Sequence, residues 1–195
     1  MSKVTFYYGT MNAGKTTLLL QAAFNYREQG LTSIIIKPSI DTRIGNQAVI
    51  ASRVGLHQEC YLVSPEDKIS DLLSGLSEKP DIVIVDEVHF LSVPQAIDLL
   101  NYSVFAEQAF ILYGLRNDYK GQAFPASSVF MANADSLKEV KTICRCGKKA
   151  THVVRYFEDG SIDLGHEQIQ IGGNERYRSM CRSCHTHSLE KGSIF

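Results

Sequence analysis

The sequence predicts an α/β protein in two unequal parts, a parallel sheet with helices on both faces followed by a small β-rich module stapled by metal. Three observations carry this prediction. Over residues 1–142, short and continuously apolar runs alternate with segments of helical spacing, the pattern of parallel strands covered on both sides. A glycine-rich segment with the pattern G-x-x-x-x-G-K-T joins the first apolar run to the first helical one, where a phosphate loop belongs. Four of the five cysteines fall as two tight pairs, at 144 and 146 and at 181 and 184, a clustering that suits a metal.

The elements follow in order. Residues 4–8 (VTFYY) are apolar and aromatic, a strand. Residues 16–29 contain good helix formers and stop at Gly30, a natural C-terminal signal. Residues 33–37 (SIIIK) and 81–85 (DIVIV) read as buried parallel strands. Between them, residues 66–76 place Ile69, Leu72, Leu73 and Leu76 at helical spacing. Residues 94–102 form a helix with Pro94 in its first turn, and residues 109–113 (AFILY) a further buried strand. From about residue 143 the texture changes. Residues 151–157 (THVVRYF) alternate, Asp159-Gly160 signals a turn, and Gly172-Gly173 follows later. There is no internal repeat.

Composition bounds the function. The 195 residues are 44% hydrophobic and 21% charged, close to the globular average and unlike disordered, collagen-like or coiled-coil chains. The length suits one domain, or one domain with an appendage. The net charge is -1, without the basic excess of a chain that grips nucleic-acid backbones. No apolar run approaches the roughly 18 residues of a membrane span. The N-terminus lacks the long apolar stretch of a signal peptide. The expectation is a cytoplasmic protein with neither nucleic acid nor membrane as partner, in which paired cysteines indicate metal rather than disulfides.

Three constellations carry chemistry. In the first, Gly9 and Gly14 let the chain turn tightly around a phosphate, so that backbone N–H groups and a helix N-terminus face the anion. Lys15 then reaches the β- and γ-phosphates, and the Thr16 hydroxyl serves Mg²⁺. In the second, Asp86 closes an apolar strand and so stands at the carboxyl edge of the sheet, where ligands bind and where phosphate-loop proteins place a metal-serving Asp. Glu87 follows at once, available to act on an attacking oxygen. His89 reads as a packing or hydrogen-bonding residue. Asp86-Glu87-Val88-His89 also resembles the DExH box of helicases, which leaves a nucleic-acid-stimulated ATPase as the rival, with a zinc-ribbon binding module as a second. In the third, Cys144, Cys146, Cys181 and Cys184 suit a closed, structural Zn²⁺ site. His185 and His187 lie close enough in sequence to replace the fourth ligand. Cys60 stands apart as a small buried hydrophobe.

In combination these segments resemble the type II (cellular, cytosolic-type) thymidine kinases over nearly the whole chain. Asp41-Thr42-Arg43 is similar to that family's segment after the second strand, and Asp86-Glu87 to its D-E pair. Gly114-Leu115-Arg116-Asn117-Asp118-Tyr119 is similar to its segment after the next strand. Ile171-Gly172-Gly173-Asn174-Glu175-Arg176-Tyr177 resembles its hallmark loop before the second cysteine pair. The resemblance implies a RecA-like nucleotide-binding domain over residues 1–142. It also implies a zinc-ribbon-like domain over 143–195 whose lasso loop closes on the base. The implied reaction moves the γ-phosphate of ATP to the 5′-hydroxyl of thymidine.

The implied roles are as follows. Glu87 is the general base, and Lys15 and Arg43 neutralise the transferring group. ATP is contacted by Gly9, Thr10, Met11, Asn12, Ala13 and Gly14, by Lys15 and Thr16, and by Asp86, Glu87, Val88 and His89. Thr16 and Asp86 serve Mg²⁺, and Asp41 positions the phosphate end. Met11, Leu115, Tyr119 and Tyr177 line the thymidine pocket with the lasso, here Gln168, Ile169, Gln170, Ile171, Gly172 and Gly173. The resemblance further implies a homotetramer and feedback inhibition by thymidine triphosphate.

Overall fold

Six short strands pair side by side in parallel to form the central sheet of the computed structural model, which describes residues 3–41, 48–165 and 176–194. In chain order the elements begin with β1 (Val4–Gly9), α1 (Lys15–Glu28) and β2 (Ser33–Pro38). A small antiparallel hairpin follows, made of β3 (Val49–Ala51) and β4 (His57–Glu59). Next come β5 (Tyr61–Val63), α2 (Ile69–Ser74) and β6 (Ile82–Val85). A 3₁₀ turn at Val88–Phe90 leads to α3 (Val93–Phe105), β7 (Phe110–Leu115), α4 (Pro125–Asn133) and β8 (Ser136–Glu139). The sheet order is β5-β2-β6-β7-β1-β8, with every neighbouring pair parallel.

Strand alternation divides the core into two layers. Ile36, Val83, Val85, Phe110 and Leu112 face one side, where α2, α3 and α4 bury Leu73, Leu99 and Phe130. Ile35, Ile82, Ile84 and Tyr113 face the other, against Leu19, Leu20 and Ala23 of α1. The predicted α/β class, with helices on both faces, is therefore the observed one. Apolar runs such as IVIV arise because both faces of a central parallel strand are covered.

Where the elements differ from the sequence expectation, tertiary contacts explain it. The helix expected over 66–76 spans only Ile69–Ser74. Its N-terminal end is held as a turn, with Ser64 N–H donating to the Asp67 carboxylate at 2.7 Å. The Gln95 amide adds hydrogen bonds to the Ser64 and Asp67 carbonyls. Gln95 also completes a capping box with Ser92 that starts α3 one residue before Pro94. Helix α4 and edge strand β8 were not expected. The sequence of β8, SLKE, has little strand character, and it pairs because β1 offers an open edge.

The remaining chain forms two more antiparallel ribbons and a helix. β9 (Thr142–Ile143) pairs with β10 (Lys149–Ala150), and β11 (His152–Arg155) with β12 (Tyr177–Met180). Helix α5 (Arg182–Lys191) follows. It was not foreseen in a part expected to be β-rich, and the Cys181 sulfur caps its N-terminus. Cys144, Ala150, Val154, Ile162, Met180 and Ile194 form a third cluster. Among the described residues, no helix is long and apolar enough to cross a membrane.

Candidate active site

Strands β1, β2, β6 and β7 all end at one edge of the sheet, and each end carries residues singled out from the sequence. The loop from Gly9 to Thr16 turns between β1 and α1. Asn12 and Gly14 adopt left-handed conformations, with φ of 63° and 85°. Glycine adopts this conformation without cost, and Asn tolerates it. Gly9 is required for space, because a Cβ there would lie 2.6 Å from the Val140 carbonyl oxygen. Lys15 is buried and donates from Nζ to the Thr10 carbonyl at 2.9 Å, folding its side chain back over the loop. These features make a cradle of the kind that holds polyphosphate.

Thr16 and Asp86 meet across the intervening strand β7. The Thr16 hydroxyl donates to Asp86 Oδ2 at 3.1 Å, and Asp86 is 2% exposed. A hydroxyl and a carboxylate held together beside a phosphate cradle fit Mg²⁺, which takes oxygen ligands alongside substrate phosphates. The backbone leaves the strand abruptly after Asp86. Glu87 is buried and left-handed, with φ 50° and ψ 39°, a state that costs a non-glycine residue about 1–2 kcal/mol. Such strain concentrates at functional sites.

The Val88–Phe90 turn packs against the end of β7 because residue 114 is glycine. A Cβ there would lie 2.8 Å from Val88 Cγ2. His89 Nδ1 accepts the Leu115 N–H at 3.2 Å, and its ring packs 4.7 Å from that of Phe124. The same Nδ1 lies 3.4 Å from Glu87 Oε2. His89 thus has the packing and hydrogen-bonding surroundings expected from the sequence. Val88 is fully buried.

Asp41 is buried just beyond β2, its N–H bonded to the Pro38 carbonyl. Met11 is tied to the later ribbons, since the Ser179 hydroxyl donates to its carbonyl at 2.6 Å. Tyr119 is 1% exposed, and its hydroxyl donates to the Gly165 carbonyl. The Arg155 guanidinium stacks 4.1 Å from the Tyr119 ring centroid and pairs with Asp163 through Nε at 2.9 Å and Nη2 at 3.1 Å. Burial works against the Arg155 charge, but hydrogen bonds to Tyr177 and Asp163 outweigh it and raise its pKa. Tyr119 and Tyr177 are therefore brought onto one guanidinium. Arg43, Gln168, Ile169, Gln170, Ile171, Gly172 and Gly173 lie outside the described residues.

The sequence reading passed over Arg155, Ser179 and Lys37. Lys37 had a visible signal, as a lysine closing an apolar strand at the ligand edge. Arg155 and Ser179 had none, because their partners are distant in sequence.

The four paired cysteines converge. Their sulfurs all lie within 4.8 Å of one another, with Cys146 and Cys181 at 3.6 Å. Tetrahedral zinc with Zn–S bonds of about 2.3 Å puts sulfurs about 3.8 Å apart, so the set fits. Burial pushes the Cys144 thiol up, but N–H groups of Cys146 and Cys181 and nearby thiols outweigh this and bring it down to about 7. Cys184 is pushed up to about 12 by its three sulfur neighbours. A Zn²⁺ bound here would hold the sulfurs as thiolates. His185 is directed elsewhere, with Nε2 on the Tyr119 carbonyl at 2.8 Å, so Cys184 is the fourth member.

A family model described as thymidine kinase matches residues 2–185. The chain belongs to the thymidine kinase family. A thymidine kinase from Rhodopirellula baltica is 44% identical, covering 93% of this chain and 87% of its own. One from Legionella pneumophila (strain Lens) is 41% identical over 100% of this chain and 94% of its own. One from Rhizobium meliloti is 44% identical over 93% and 95%. Membership in the thymidine kinase family makes the chain a nucleotide-binding phosphotransferase, and the buried carboxylates beside its phosphate loop are chemically suited to that reaction.

Proposed function

We propose that this protein transfers the γ-phosphoryl group of ATP to the 5′-hydroxyl of thymidine, giving thymidine monophosphate and ADP. The observation that carries the proposal is the joint burial of Asp86 and a strained Glu87 beside the Gly9–Thr16 loop, in a chain of this family. Phosphoryl transfer is mainly positioning and charge stabilisation. The loop N–H groups and Lys15 bind the phosphates, and Arg43 adds positive charge. Thr16 and Asp86 hold Mg²⁺, which when bound offsets phosphate charge, and Asp41 aligns that end of the site. Glu87 takes the proton of the 5′-hydroxyl as its oxygen bonds to phosphorus and the bond from that phosphorus to ADP breaks.

Met11, Leu115, Tyr119 and Tyr177 border the nucleoside, with residues 168–173 over the base. Cys144, Cys146, Cys181 and Cys184 hold a structural Zn²⁺. Residues 1–142 act as the nucleotide-binding domain and 143–195 as the zinc-binding domain, a division supported by the separate apolar cluster around Cys144 and Met180. Transfer from labelled ATP to a nucleoside panel tests the reading. Thymidine-dependent product that collapses in Glu87→Gln is the expected result. ATP hydrolysis stimulated by polynucleotide, with no nucleoside product, would replace it with a DExH-like ATPase.

A further inference from the structure

Lys37 closes β2 and is 1% exposed, an unusual degree of burial for lysine. Its ammonium has three donors. Its one hydrogen bond among the described residues runs from Nζ to the Asp41 carbonyl at 3.5 Å. The register places it beside the proposed metal carboxylate. Ile36 pairs with Val85, so the next positions, Lys37 and Asp86, are neighbours on adjacent parallel strands. Both continue the face of Ile35, Ile82 and Ile84, the face covered by α1.

Among the described residues, Asp41, Asp86 and Glu87 bring three buried carboxylates to this edge, and Lys15 and Lys37 two buried ammonium groups. One sulfur senses most of the group. Burial pushes the Cys60 thiol up to about 11, Lys37 draws it down, and Asp86 and Asp41 raise it further. A buried ammonium is costly unless nearby charge compensates it, and the strand register sets Lys37 next to Asp86, one of the groups that meet the phosphates.

We propose that Lys37 is a positioning residue of the phosphate end of the site. It clamps the turn bearing Asp41 and supplies the internal counter-charge that lets the acidic edge accept a polyphosphate before a divalent cation arrives. This inference rests on the phosphotransferase reading above. It assigns Lys37 a role separate from that of Lys15, which acts from the loop.

The test compares ADP affinity in excess Mg²⁺ and in chelator, by calorimetry, for wild type, Lys37→Met and Lys37→Gln. Glutamine keeps a donor for the Asp41 carbonyl without the charge. In both variants metal-free ADP should bind more weakly, while Mg²⁺, drawn to a more negative edge, restores much of the loss. The ratio of metal-free to Mg²⁺ dissociation constants should therefore rise about tenfold, the scale of one nearby charge in a partly screened site. A merely structural role would weaken both affinities together. An unchanged ratio in either folded variant overturns the proposal. Thymidine phosphorylation by the wild type is the control: its absence would sink the phosphotransferase reading, whereas its presence with an unchanged ratio sinks only the role of Lys37.

Discussion

Glu87 links backbone strain to chemistry, and the two can be separated by substitution. It is buried, follows the metal-suited Asp86 and sits at φ 50°. Glutamine preserves its shape and removes the carboxylate. A general base contributes about 10²–10⁴-fold, equal to about 3–5.5 kcal/mol of barrier, so kcat for thymidine should fall by that factor with little change in Tm. Alanine and glycine at 87 address the strain. In ordinary extended or helical backbone, glycine is less stable than alanine by about 0.5–1 kcal/mol. At a left-handed position alanine instead carries about 1–2 kcal/mol of strain. The order should therefore invert, with Glu87→Gly the more stable by up to about 1 kcal/mol. For a chain of this size that is about 2–4 °C in Tm. The assays are steady-state kinetics and thermal unfolding. A glutamine variant that keeps more than a tenth of its activity would remove Glu87 as base. An alanine variant more stable than the glycine one would refute the strained turn.

Three further outcomes follow from the geometry. Arg155→Met strands the Asp163 carboxylate beside the Tyr119 ring and should cost about 3–5 kcal/mol, with a raised KM for thymidine; adding Asp163→Leu should restore part of the stability, and additive losses would deny the coupling. Metal analysis should find one Zn²⁺ per chain, and Cys181→Ser or a strong chelator should abolish it and unfold the region around Cys144 and Met180, detected as lost hydrogen-exchange protection there; a metal-free protein with full protection would count against the site. Burial and then His185, Arg116 and Arg182 depress His152 from the ordinary imidazole value of 6.5 to about 4. Because the folded form binds its proton less readily than the unfolded one, this stabilisation is complete above about pH 6.5 and is lost as pH falls toward about 4. His152→Phe should therefore flatten the fall in Tm across that window, and parallel pH profiles would exclude the effect.

Much of the fold was legible because it rests on local rules. The apolar runs around Ile35, Ile84 and Ile111 belong to strands buried on both faces, and Gly30, at φ 75°, ends α1 where a helix stop was expected. The phosphate loop was equally plain, since glycine, lysine and threonine at that spacing have few other uses. The cysteine pairs announced a cluster without deciding its fourth member. Other features left no local trace. Strand β8 exists only because β1 has an unpaired edge, and the short α2 reflects contacts that Gln95 makes from another helix.

Taken alone, the sequence determined the strand–helix alternation, the phosphate loop and the cysteine pairs, because each depends on residue types at short and regular separations. It could name Thr16 and Asp86 but not join them. Only the strand order, with β7 lying between β1 and β6, brings the hydroxyl within 3.1 Å of the carboxylate. The tertiary structure alone bent Glu87 into its left-handed turn, buried Lys37 beside the strand that ends in Asp86, and set Arg155 between Tyr119 and Asp163. These features depend on which distant segments share a low-dielectric space. Burial and charge pairing are properties of that shared space, and no single stretch of chain encodes them.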